Sequence, residues 1–191
     1  MSATVTYHDT GLQKLNEELA ELRRMRVKIG YQPPEGRTRY GSGITVAKLA
    51  AVHEFGGSIV GGRHGGGVFH TSRGRRKKRH KWGGTGMPAR SFIRSTIEEK
   101  GAQIAACQER EIAKVIEGKA TPVQALSRIG SFVVGLIRAK LEGAAGWAAP
   151  LQPATVAAKG HAKPLEETDL LSLSLSWQVS KGRQVLARGN E

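Results

Sequence analysis

His53 and Glu54 open "HEFGG", the first half of the H-E-x-x-H pattern. In that pattern two imidazoles one helical turn apart hold a zinc ion and the glutamate acts as base. The fifth position here is Gly57, so the second imidazole is missing and the pair reads as a polar helix end. His64, His70 and His80 lie among cations, which oppose metal binding, and have no ligand spacing. There is no G-x-S-x-G elbow, no Gly-Lys-Ser/Thr phosphate loop and no G-x-G-x-x-G after a strand. Glu166, Glu167 and Asp169 form a small acidic cluster of the kind that suits a helix N-terminus. Cys107 sits in an apolar helical pattern and reads as a core residue. As the sole cysteine it makes no internal disulfide, which fits a reducing compartment. Little in the chain supports catalysis, so neither an enzyme activity nor a metal or cofactor is expected.

Positive charge is the stronger signal. The net charge is +14, from 30 basic and 16 acidic residues. Arg63, Arg73, Arg75, Arg76, Lys77, Lys78, Arg79 and Lys81 fall between Gly56 and Gly86, a stretch with no acid; without them the rest of the chain carries +6. Lys and Arg at this density neutralise phosphates and release condensed counterions without needing a fixed geometry. Only Phe69 and Trp82 flank the run, so stacking on single-stranded bases is poorly supplied. Non-specific duplex contact is the better form of the reading. A solvated, self-repelling loop and a nuclear-localisation tag are the alternatives.

The elements around this run form an α+β pattern: a small, mostly antiparallel sheet packed against two long helices, with a long basic loop insertion. Leu12, Leu15, Leu19 and Leu22 line one face of a helix over 10–24, and Thr10 with Gln13 matches a capping box. "RVKIGY" alternates as a half-buried strand. Thr45 caps a helix from Val46 to Phe55, with Val46, Leu49, Ala50 and Phe55 as its buried side and Gly56 as a left-handed stop. The Gly-rich stretch 57–87 offers only "SIV" and "VFH" as brief strands. A long helix is expected from Ser91 to Glu117. Its mixed acids and bases, Glu98, Glu99, Arg110 and Glu111, suggest a solvated or subunit-facing surface. Thr121-Pro122-Val-Gln124 starts another helix that runs to Gly143 and packs antiparallel to the first. A short helical segment spans 153–159. "LLSLSLSWQVS" alternates throughout and reads as the best strand, turning at Lys181-Gly182 into "RQVLA". One domain, 1–191, with the insertion at 57–87, accounts for the whole chain. No apolar run approaches the ~20 residues of a membrane span, and the first ten residues lack the pattern of a secretory leader.

Taken in order, "RVKIGY", "GSGITVAKLAAVHEFGG" and "MPARSFIRSTIEE" resemble the tail-completion (neck, or minor tail) proteins of long-tailed bacteriophages. The C-terminal "LQPATVAAKGHAKPLEETDLLSLSLSW" resembles that family's ending. The framework positions are Glu54, Phe55, Gly56, Pro88, Arg90 and Phe92. Ser91 stands where the family usually has Pro, and Asp169 where Gly is common. Phe55 and Phe92 would anchor in the core. Arg90 would pair with a carboxylate, either Glu54 or one on a neighbouring subunit.

The resemblance implies a non-enzymatic virion structural protein of the head–tail junction. It would complete the tail and join it to the DNA-filled head as a six-fold or twelve-fold ring of copies. The implied neighbours are the tail terminator, the connector or stopper, and the tail tube. The implied location is the virion neck, reached from the host cytoplasm during assembly. In that setting the basic loop would meet double-stranded DNA in the channel or an acidic neighbouring subunit. The alternative reading is a free-standing, non-specific DNA-binding protein.

Overall fold

The computed structural model describes residues 10–39, 43–60, 68–71, 88–151 and 169–190, with residues 153, 156, 157, 160, 162, 164 and 165 between the last two segments. The Thr10 capping interaction, most of the 153–159 segment, Glu166, Glu167 and all eight cations of the insertion lie outside the described residues.

Helix α1 (Thr10–Arg24) runs directly into strand β1 (Met25–Gly30). Helix α2 (Val46–Phe55) follows, and the Thr45 hydroxyl accepts from the Lys48 amide at 3.4 Å, as the sequence predicts. Strands β2 (Gly57–Val60) and β3 (Val68–Thr71) pair antiparallel, so the insertion begins as a two-stranded ribbon. Helices α3 (Ile93–Glu99), α4 (Gly101–Ile116) and α5 (Pro122–Glu142) come next. A single helical turn, Leu170–Leu173, precedes strands β4 (Ser176–Lys181) and β5 (Gln184–Gly189). The main sheet has the order β1-β4-β5 and is antiparallel throughout. The fold is therefore the expected α+β arrangement. No helix among the described residues is long and apolar enough to cross a membrane.

Two expectations need correction. The helix expected from Ser91 to Glu117 is two helices, broken at Lys100, whose ψ of 13° departs from helical geometry just before Gly101. Glycine has the backbone freedom and low helix propensity that make such a break cheap. The strand expected from Leu171 begins only at Ser176. The preceding helical turn buries Leu171 and leaves Leu173 at 61% exposure, and Leu175, just past its end, is buried as well. Alternation of leucine and serine does not distinguish these cases, because leucines four apart suit either period. Arg138 of α5 holds the turn, donating from Nε to the Ser172 carbonyl at 3.1 Å and from Nη2 to the Leu175 and Asn190 carbonyls.

Helix α5 is the spine. Its capping box is complete: Gln124 N donates to Thr121 Oγ1 at 3.3 Å and Thr121 N donates to Gln124 Oε1 at 3.1 Å. Its buried face carries Ile129, Val133, Val134, Ile137 and Leu141. Val133, Val134, Ile137 and Leu141 join Val46, Ala50, Phe92, Leu175, Trp177 and Val179 in one core. The ion pairs Lys140–Glu99 (2.6 Å) and Arg128–Glu111 (3.3 Å) run in opposite sequence order, as an antiparallel pairing of α5 with the α3–α4 arm requires. Glu111 is thus 3% exposed, bound also by Lys114 at 2.6 Å, and not on the solvated surface that the sequence suggested.

Trp177 fills the gap between α5 and the sheet. A Cβ at Gly130 would lie 2.8 Å from its ring, so helix and strand approach this closely only because residue 130 has no side chain. Gly130→Ala is expected to lower stability by about 1–3 kcal/mol, the usual cost of overpacking a core. At Gly135 on the same helix a new methyl meets nothing within 4 Å, and Gly135→Ala should raise stability by up to ~1 kcal/mol through helix propensity. Urea denaturation of the two variants checks both signs.

Candidate functional site

The framework residues on either side of the insertion meet. Glu54 lies in the last turn of α2, where the negative end of the helix dipole disfavours a carboxylate. It is nonetheless 4% exposed, because it serves a different helix. Helix α3 begins at Phe92, which offers no capping side chain. The Glu54 carboxylate takes that role from outside: Oε2 accepts from the amides of Phe92 (2.9 Å) and Ile93 (3.0 Å), and Oε1 from the amide of Arg94 (3.0 Å). Three of the amides that a helix start leaves without partners are satisfied by one side chain. Ser91 Oγ adds a 2.6 Å donor and Arg94 Nε a 3.1 Å donor to the same carboxylate.

Burial alone would raise the Glu54 pKa. The donors from Ser91, from the Ile93 and Arg94 amides and from the Arg94 side chain outweigh it and hold the group below its ordinary value. Tyr31 shows the opposite balance. Its hydroxyl is buried with no hydrogen-bond partner among the described residues, and burial, then the nearby Glu54 charge, pushes the phenol well above its usual range.

The framework residues divide as follows. Phe92 is fully buried, as expected, and meets the Tyr31 ring edge-on at 6.4 Å between centroids. Phe55 is half-buried and forms a platform for the Arg94 guanidinium, 4.9 Å above its ring. Gly56 has the expected positive φ of 70°, but its ψ of 164° sends the chain into β2 in place of a left-handed stop. Pro88 is exposed at the far end of the insertion. Arg90 does not pair with Glu54. It is 5% exposed, its amide donates to the His53 carbonyl at 2.7 Å, and its guanidinium donates to the carbonyls of Ala149 (3.0 Å) and Pro150 (3.4 Å). Arg94, in the first turn of α3, is the residue that reaches Glu54. Ser91, the departure from the family pattern, contributes a hydroxyl that a proline would lack. The sequence signal for both was an acid ending one helix and a start without its own cap in the next.

Comparison with family models, with curated proteins and with solved structures finds no match in any of the three.

Glu54 is expected to stabilise the fold by about 1.5–3 kcal/mol at neutral pH, the scale for hydrogen bonds to a charged group. Because its folded pKa is lowered, that contribution is complete above the ordinary Glu value of 4.5 and fades as pH falls through the lower folded value. Denaturation of the native chain and Glu54→Gln should therefore show a gap in stability at pH 7 that narrows at pH 3. A gap independent of pH would show that the ionised carboxylate is not the source.

Proposed function

We propose that this chain is a non-enzymatic structural protein of the bacteriophage head–tail junction. It completes the tail and joins it to the head as a closed ring of copies. The observation that carries the reading is the convergence of its motifs. Glu54 and Phe92, framework positions on either side of the insertion, are hydrogen-bonded to one another in the buried interior, and the Arg90 amide binds the neighbouring His53 carbonyl. Motifs brought together by chance would have no reason to be mutually satisfying. The ring would form by head-to-tail contacts that close on themselves, with the terminator, the connector or stopper and the tube as neighbours. The insertion, with its eight cations and no acid, faces the DNA of the channel or an acidic neighbour.

The net charge of +14 also favours a second reading, a free-standing protein that binds duplex DNA without sequence preference. Sedimentation velocity and negative-stain microscopy separate the two. The purified chain, alone or mixed with candidate tube and terminator proteins, should give closed six-fold or twelve-fold rings. A monomer under every one of these conditions, binding duplex DNA, would favour the alternative.

A further inference from the structure

We propose that the face of the main sheet turned away from α5 is a second binding surface for duplex DNA, independent of the basic insertion. The core side of the sheet carries Val27, Ile29, Trp177, Val179 and Ala187. Side chains alternate across a strand, so the opposite side carries Arg26 and Lys28 of β1, Gln178 and the buried Ser180 of β4, and Arg188 of β5, with the exposed Val185 opposite Ser180 past a bulge. The register aligns Lys28 with Gln178 and Gln178 with Arg188, a single row across all three strands. Arg26 lies in the next row on that face, opposite Ser180. Arg26, Lys28 and Arg188 are exposed, and none forms an ion pair or side-chain hydrogen bond among the described residues. No Asp or Glu occurs in any of the three strands. Glu35 borders a depression that also touches Gln178 and Arg188.

Arg26 and Lys28 stand about 7 Å apart along the strand, and Lys28 and Arg188 about 10 Å apart across it, from the rise and spacing of a sheet. Duplex DNA carries one charge per ~1.7 Å of axis, so such a footprint spans several phosphates. Gln178, between the cations, can donate to a phosphate oxygen. The aromatic residue of these strands, Trp177, packs into the core, so the face offers no platform for unpaired bases. A second copy of this chain is the weaker occupant. Glu21, Glu54, Glu99, Glu111 and Glu117 are each already bound to a cation. Of the remaining described acids only Glu17 and Glu18, on α1, share an element.

The inference shares the DNA with the neck reading but not the ring, so either can fail alone. The test uses the full chain carrying R75S/R76S/K77S/K78S/R79S, which removes most of the insertion's charge. Fluorescence anisotropy with a 20-base-pair duplex, titrated across salt concentrations, reads the slope of log affinity against log salt. Adding R26S/K28S/R188S should flatten that slope by about 2 to 3, the share of three phosphate contacts. R26K/R188K, which keeps the charge, should leave the slope unchanged, and circular dichroism melts verify that each variant is folded. An unaltered slope in the triple variant, no duplex binding before it is made, or equal displacement by poly-glutamate would each overturn the proposal.

Discussion

One carboxylate organises the middle of this molecule. Glu54 is in the wrong place for its own helix and the right place for the next one. By accepting three consecutive backbone amides it starts α3 where the local sequence has no cap, and it does so from the far side of the insertion. The start of α3 then places Phe92 against Tyr31 and lets Arg94 cover Phe55. Just upstream, Arg90 ties His53 to the segment after α5. Ser91, Arg94 and the Tyr31 phenol all respond to the same charge, so Glu54 couples β1, α2 and α3 electrostatically as well as sterically.

The cations of this chain fall into two populations. Arg90, Arg94, Lys114, Arg128, Arg138, Lys140 and Lys181 are spent inside the fold, on carboxylates or on backbone carbonyls. The paired ones stitch helix to helix and, through Lys181–Glu21, sheet to helix. Their charge is largely compensated where it stands. Arg26, Lys28 and Arg188 of the sheet's outer face form no such pair among the described residues. Net charge alone does not make this distinction; only pairing separates structural cations from those left for a partner.

Much of the fold was legible because its signals are local. Thr45, Thr121 and Gln124 mark helix starts by side-chain chemistry that acts within one turn. Val27 and Ile29 alternate over a length that fits only a strand. The failures share a cause as well. Leu171 and Leu175 suit two periods, and their core contacts decided between them. Gly101 ended α3 without any stronger stop signal. Glu111 looked solvated because its burial, and its bond to Arg128, depend on how α5 docks. The clasp was half-legible: Glu54 and Arg90 both stood out, yet they do not pair, because Arg90 lies before α3 and is drawn to the carbonyls after α5, while Arg94 is inside the helix that Glu54 caps. The cationic row across the sheet was invisible in the sequence, since Lys28 and Arg188 become neighbours only through the register of β4.

The clasp also makes the protein's midsection modular. Ser91 and Glu54 are bonded although 37 positions separate them, so the chain between them leaves and re-enters the body at one closed gate. Closing a longer excursion costs only ~0.6 kcal/mol for each doubling of its length. Evolution, or an engineer, could therefore exchange this cassette for another of different size and chemistry while the body that holds it keeps its shape.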